Sequence, residues 1–418
     1  MPLHNASSWQ TFRHVRISHC WPEVVTIIYL DGHATTPLAP EAADAMRLAW
    51  MEPGNAGSPH LAGAKAAETV EAGRAAVADL IGAAPSEITF TSGATEANNL
   101  VIQGVVKTAR AAGIERHRLV VAATEHKSIL ACAEALTRDG IEVVTAPVRG
   151  DGLIDLATLS ALVDDRTLLV SVGAANGEIG VLQPIAEVSA IAHRVGSFMH
   201  SDLAQFAGKA PCDVVALDLD YGSLSSHKMY GPVGVGALFV SAAALPPSAL
   251  MYGGGQEHGL RPGTIPAPLI AGFGAAARTS ATLLDADMTR AKALAKSFVC
   301  ALSERQVAWR LNGHQSLRLP GSLSLQIIGI DAESIVERLS SKVAISTGSA
   351  CQSGQIDTSH VLRALSLSRS EQLCTIRILF GRYNTQSDVL HAADAIAAAA
   401  RQESLAHWTS RPVVSGHA

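Results

Sequence analysis

The sequence predicts an α/β protein: a mostly parallel β-sheet covered on both faces by helices, followed by a smaller α+β domain. Three observations carry this reading. Short runs rich in Val, Ile and Leu alternate with longer Ala-rich stretches of helical pattern, and apolar strands separated by helical crossovers belong to parallel sheets buried on both sides. A Gly- and Pro-rich break, LPPSALMYGGGQEHGLRPGTIPAP (245–268), interrupts that alternation. The chain has 418 residues, 48% hydrophobic and 17% charged, which suits a compact enzyme of more than one domain.

In chain order, strands are expected at EITF (87–90), RLVVAAT (118–124), IEVVTAPV (141–148), TLLVSVGAA (167–175), VVALDL (214–219) and GVGALFVS (234–241). Helices are expected at 61–82, 95–113 and 126–140, where apolar residues recur with helical spacing. A long helix over 269–305 follows the break, and a domain boundary is placed near 285, inside it. Beyond it, SLSLQII (322–328) and TIRILF (375–380) read as strands of the smaller domain. Residues 1–28 lack a compact apolar region and a small-residue cleavage site, so they read as a disordered extension rather than a secretory signal.

Composition excludes several function classes. The net charge is −5 with no run of five basic residues, which argues against nucleic-acid binding. No apolar window is long enough for a membrane span. The six cysteines are scattered, without CxxC or zinc-type Cys/His spacing, so a reducing, cytoplasmic location is expected and no metal site.

Several motifs fall where strands end. TSGATEANN (91–99) follows EITF directly. It is either a plain strand–helix turn or a phosphate cradle, in which glycine admits the anion and the helix N-terminus donates N–H groups. HSDLAQFAGK (200–209) opens at the end of a strand, placing Asp202 where open α/β sheets bind ligands and Gln205 beside it. Lys228, in SSHKMYGPVG (225–234), lies between small hydroxyl residues and a glycine-rich turn. Desolvation there would lower the amine pKa and make it a nucleophile or base. A phosphate cradle, a carboxylate for a pyridinium nitrogen and a buried lysine are together what pyridoxal phosphate requires. His126, in TEHKSIL (124–130), would stack on the ring or stand exposed at a helix start. Asn176, in AANGEIG (174–180), would bond a ring oxygen or simply close an Asn-Gly turn. Cys351 sits in ISTGSACQSGQ (345–355), a small, polar stretch expected to be a mobile loop. Its thiol is either a nucleophile or an inert surface group.

With these residues in view, the chain resembles the cysteine desulfurases of the class V aminotransferase family. The likeness runs from 29 to about 385 through YLDGHATTPLAP, TSGATEANNL, TEHKSIL, AANGEIG, HSDLAQFAGK, SSHKMYGP, GGGQEHGLRPGT, STGSACQS and VLRALSL. It implies the type I fold of pyridoxal phosphate-dependent transferases: a mainly parallel seven-stranded sheet in a large domain (38–284), and a small α+β domain built from 29–37 and 285–418. Lys228 matches the Schiff-base lysine and His126 the ring-stacking histidine. Asp202 matches the pyridinium partner, and Gln205 and Asn176 the residues at the ring hydroxyl. Ala94, Thr95, Ser225 and His227 match phosphate ligands. Thr264 matches a phosphate contact from the second subunit of a homodimer. Arg377, with Asn176, matches the substrate-carboxylate site, and Cys351 the nucleophile that takes up sulfur as a persulfide. The implied reaction converts L-cysteine to L-alanine and passes sulfur to an acceptor protein, an iron–sulfur scaffold or a sulfurtransferase. A selenocysteine lyase, an aminotransferase and a non-catalytic sulfur-transfer scaffold are the competing expectations. Two departures stand out: His33 after Gly32, expected near the site entrance, and Gly177 where a second Asn is common.

Overall fold

The computed structural model describes residues 27–347 and 359–409; the extension expected over 1–28 lies almost wholly outside them. In chain order the strands are β1 (Ile28–Tyr29), β2 (Ile88–Thr91), β3 (Arg118–Ala122), β4 (Glu142–Ala146), β5 (Thr167–Ser171), β6 (Phe198–Asp202), β7 (Tyr221–Ser225), β8 (Gly236–Val240), β9 (Trp309–Leu311), β10 (Ser322–Ile327), β11 (Val343–Ala344), β12 (Ser346–Thr347) and β13 (Thr375–Leu379). The α-helices are α1 (Pro40–Met51), α2 (Leu61–Ile81), α3 (Ala94–Ala111), α4 (Lys127–Leu136), α5 (Leu156–Leu162), α6 (Ile185–Arg194), α7 (Ala267–Glu304), α8 (Ala332–Leu339), α9 (His360–Ala364), α10 (Arg369–Leu373) and α11 (Gln386–Thr409).

Seven strands form the larger sheet in the order β2-β8-β7-β6-β5-β3-β4. Pairing is parallel except where β8 runs against its neighbours β2 and β7. The chain therefore leaves β2, β3, β5, β6 and β7 at one common edge, where ligands of open α/β sheets bind. Side chains alternate between two apolar layers. Val120, Val170, Met199 and Leu224 enter one, and Leu119, Val121, Leu169 and Tyr221 the other. That is why β3, β5 and β7 are buried along their whole length.

The smaller sheet, β12-β13-β10-β9, is antiparallel. One face is apolar: Leu323, Leu325, Ile376 and Ile378 pack with Phe298, Ile335 and Ile396. The other carries Ser322, Ser324, Gln326 and Arg377. Helix α7 joins the two cores, with Ile270 and Phe273 in the first and Leu294 and Phe298 in the second. β1 pairs in parallel with β11 in a separate two-stranded sheet, and Asp31, just after β1, bridges to Leu379 at the end of β13, so the segment that follows leads from beside the small sheet towards the large one.

One expected strand is wrong. VVALDL (214–219) is a turn, not a strand. Asp213 Oδ1 accepts the N–H groups of Val215 and Ala216 at 2.9 and 3.0 Å, Asp218 takes a positive φ of 51°, and Val215 is 74% exposed. The side-chain cap beats the apolar pattern. The strand comes next, in the less apolar YGSLS of β7.

Candidate active site

Lys228 lies in the 3₁₀ turn Ser226–Lys228 directly after β7. Its Nζ donates to the carbonyls of His33 and Ala34 at 2.6 and 2.8 Å. Burial, reinforced by Arg377 and opposed by Asp202 and Asp31, brings its pKa down to about 8. His227 is pushed down to about 4 by burial, then by Lys228 and Lys209. Its Nδ1 is 3.0 Å from Thr35 Oγ1. Ser225, at the end of β7, is buried, and so is the unpartnered Ser226 hydroxyl.

The strand-end turn of TSGAT opens onto α3, whose N-terminus has no side-chain cap. The N–H groups of its first turn, at Ala94 and Thr95, are the donors such an end leaves free. A Cβ at Gly236 would fall 2.6 Å from Gly93 Cα and 2.4 Å from the Leu224 carbonyl, so glycine there lets β8 lie against this turn.

His33 is not at an entrance. It is buried, 2% exposed, and wedged between the two sheets. Its Nε2 is 2.8 Å from Ser322 Oγ and its Nδ1 is 3.2 Å from Gln205 Oε1. Burial, then Lys209 and Arg377, hold its pKa well below the usual value, so the ring is neutral. Gln205 Oε1 also accepts from Lys209 Nζ at 2.8 Å, and its Nε2 donates to the His33 carbonyl at 2.9 Å. The amide is therefore fixed, with one N–H to spare. Gly177, the other departure, makes room for it: a Cβ there would come 3.0 Å from Gln205 Nε2. Lys209 is a second amine whose pKa is driven well down by burial and by Lys228.

Asp202 ends β6. Its Oδ1 accepts from Ala204 N–H and its Oδ2 from Asn98 Nδ2, both at 2.9 Å. Asn98 Nδ2 also reaches Ser128 Oγ at 2.9 Å, and that hydroxyl lies 2.8 Å from His126 Nδ1. His126 is the N-cap of α4, its Nδ1 accepting the Ser128 N–H at 3.1 Å. Beside it, Glu125 is buried, and desolvation, with Asp202 adding to it, raises its pKa to about 8. Its Oε1 accepts from Gly173 N–H at 2.7 Å.

Asn176 closes a turn: its Oδ1 accepts the N–H groups of Glu178 and Ile179, and its Nδ2 donates to the Thr124 carbonyl at 2.9 Å. One amide hydrogen remains. Arg377, on β13, donates from Nη1 to the Gly177 carbonyl at 3.2 Å and from Nη2 to Asp31 Oδ1 at 2.9 Å. Its buried Nε has no partner. Glu178, whose pKa burial lifts to about 7 against the pull of Arg377, accepts from Ser359 Oγ at 2.7 Å. Thr264 is exposed on the loop that Arg261 pins to Glu96 at the start of α3, Nε to Oε1 being 2.9 Å. Cys351 lies outside the described residues.

Lys228, Asp202, His126, Gln205, Asn176, His227 and Arg377 thus meet at one edge of the large sheet and the polar face of the small one. Sequence reasoning missed Asn98, Glu125, Lys209, Glu178 and Asp31. All lie inside the quoted motifs or next to a chosen residue, but their contacts run to other elements.

Comparison with known proteins agrees with this architecture. The sequence profile of the aminotransferase class-V family matches residues 28–391. The chain is 40% identical over 374 residues to the cysteine desulfurase IscS of Rickettsia felis, covering 88% of this chain and 90% of that one. Among solved structures, a NifS-like protein superposes with a TM-score of 0.83 at 31% identity, covering 89% of this chain and 99% of its own. SspA in complex with cysteine superposes with a TM-score of 0.74 at 31% identity, covering 86% and 100%. The chain belongs to the class-V aminotransferase family.

Proposed function

We propose that this protein is a pyridoxal phosphate-dependent cysteine desulfurase that converts L-cysteine to L-alanine and loads the sulfur onto Cys351. The observation that carries the reading is the buried amine of Lys228, with its pKa near 8, at the same sheet edge as a carboxylate and an uncapped helix N-terminus. The relative named a cysteine desulfurase and the neighbour solved with cysteine support it.

The donor set fits the cofactor. The free N–H groups of α3, with Thr95, Ser225 and His227, would hold its phosphate, while Asp202 would pair with the ring nitrogen. The spare N–H groups of Gln205 and Asn176 would meet the ring oxygen, His126 would lie on the ring face, and Lys228 would bind the aldehyde carbon. Thr264 would serve the cofactor of a second subunit. When bound, the group supplies an electron sink for the substrate's α-carbon.

The chain's own residues do the rest. Arg377 receives the substrate carboxylate: its Nε is unpartnered and Asp31 already orients its Nη2. Lys228, poised near neutrality, moves the proton at the substrate α-carbon. The Cys351 thiolate attacks the substrate sulfur. An S–S bond forms as the Cβ–S bond breaks, the carbon keeps the electron pair and gains a proton, and alanine leaves. The persulfide then passes to an acceptor protein. The exposed Leu48, Trp50, Met51 and Leu61 of α1 and α2 suit a homodimer interface. Unpaired thiols at Cys132, Cys212, Cys300 and Cys374 suit a reducing cytoplasm. Among the described residues no helix is long and apolar enough to cross a membrane.

The test is production of alanine from L-cysteine by purified, cofactor-loaded protein. Lys228→Ala should abolish it, and Cys351→Ser should bind cysteine yet transfer no sulfur. Alanine formation unchanged in Lys228→Ala ends the reading.

A further inference from the structure

Building on the reading of His126 as the imidazole on the cofactor face, we propose that Asn98 and Ser128 are positioning residues. They hold His126 in one tautomer, with its proton on Nε2, and tie that tautomer to the Asp202 carboxylate.

The argument is one of donors and acceptors. The Ser128 backbone N–H can only donate, and it lies 3.1 Å from His126 Nδ1. Nδ1 therefore offers a lone pair, and the neutral ring carries its hydrogen on Nε2. The Ser128 hydroxyl reaches the same nitrogen at 2.8 Å. Its oxygen already accepts from Asn98 Nδ2 at 2.9 Å, which leaves the hydroxyl hydrogen for Nδ1. The second hydrogen of Asn98 Nδ2 goes to Asp202 Oδ2, also at 2.9 Å. Turned over, the amide would set its oxygen against the carboxylate. The Asp202 charge thus fixes the amide, the amide fixes the hydroxyl, and the hydroxyl fixes the ring.

The cost of the arrangement marks it as built. Asn98 is fully buried in α3 among Ala97, Leu100 and Val101, and its Oδ1 has no partner. A buried amide with an unmet acceptor is expensive in an apolar helix face. Ala204 N–H holds the other Asp202 oxygen, so the relay is anchored at both ends.

The chain of bonds is no proton wire, because the amide in its middle donates both ways and surrenders neither hydrogen. It is an orienting device. Protonating Nδ1 would set its hydrogen against two donors, so His126 presents its Nε2–H as a fixed hydrogen-bond donor. Three elements are coupled in this way: β6 through Asp202, α3 through Asn98, and the start of α4 through Ser128 and His126.

The experiment has two arms. Cofactor-free protein labelled with ¹⁵N in histidine rings, with His126 assigned by its loss in His126→Gln, should show an unprotonated Nδ1. Asn98→Leu and Ser128→Ala should each move that signal. In loaded enzyme, Ser128→Ala should lower kcat about fivefold, the worth of one lost hydrogen bond, with KM nearly unchanged. Ser128→Thr, which keeps the hydroxyl, should restore it. Ser128→Ala should cost nothing further once His126 is Gln. A proton on Nδ1 in the parent protein overturns the proposal, and so does an equal kcat loss in both backgrounds. If the parent protein forms no alanine, the desulfurase reading falls and the ring-nitrogen spectrum still decides this one.

Discussion

Lys228 sets the chemistry at the residue scale. An amine must be neutral to add to an aldehyde. Burial and Arg377 disfavour its ammonium form, which moves the half-neutral point down to about 8. Uptake of pyridoxal phosphate by cofactor-free protein should therefore accelerate as pH rises and level off above about 8; stopped-flow absorbance reads it directly, and a midpoint at the ordinary lysine value of about 10.4 contradicts the site described. Arg377 makes a second prediction. Arg377→Lys keeps the charge but loses the planar fork, and should raise KM for L-cysteine by roughly tenfold to a hundredfold with a smaller effect on kcat. Steady-state kinetics check it, and an unchanged KM removes the arginine from the substrate site. At this scale the sequence was most legible in position: Lys228, Asp202 and His126 stand at or just beyond the ends of β7, β6 and β3. It was least legible for partners across elements. Nothing in TEANN says that Asn98 bridges Asp202 and Ser128. His33 read as an oddity because its two ring contacts lie 172 and 289 residues away.

Elements differ in how well local pattern competes with tertiary demand. β3 and β5 were readable because both faces are buried, leaving continuous apolar runs. β7 was not: YGSLS is small and polar yet buried throughout, because Ser223 serves the buried His200 at 3.0 Å and Ser225 ends at the site. The apolar VVALDL drew the strand assignment that YGSLS deserved. The loop before α7 depends on one buried ion pair. Arg74 grips Glu257 bidentately at 2.7 and 2.9 Å, and Glu257 also takes the Phe90 N–H at 2.8 Å. The two side chains are 11% and 3% exposed. Glu257→Ala strips the buried Arg74 guanidinium of its bidentate partner, leaving it Glu71 and the Ile88 carbonyl, and should cost about 1–3 kcal/mol. Because this loop carries Thr264, the variant should also lose cofactor affinity. Urea melts and cofactor titration measure the two effects; a stability change within about 0.5 kcal/mol, that of an ordinary surface substitution, would show the pair to be ornamental.

Whole-molecule stability should carry the signature of two buried carboxyls. Glu125 and Glu178 have pKa values raised to about 8 and about 7. A raised carboxyl binds its proton more tightly folded than unfolded, so stability is full below the unfolded value near 4.5 and falls as pH climbs to the folded one. Glu125→Gln removes one such group while keeping an acceptor for Gly173 N–H. Its melting temperature should match the parent's near pH 4.5 and exceed it increasingly towards pH 8, at an order of 1 kcal/mol per pH unit. Parallel melting curves across that range would refute the burial argument. The overall architecture was legible because alternation of strand and helix patterns is a property of the whole chain. The polar face of the small sheet was not, since serines and an arginine on a strand look solvent-facing until His33, Gly177 and Gly180 come up against them.

The parallel pairing of β1 with β11 has a consequence for the order in which the molecule is assembled. The carbonyls that grip Lys228 belong to His33 and Ala34, just beyond β1, and β1 finds its partner only around residue 343. On the ribosome the opening segment must wait for most of the polypeptide to emerge before it has a strand to lie against. Until then the clasp around Lys228 is fastened on one side only, through Thr36 to the His227 carbonyl, so the socket is completed late in synthesis.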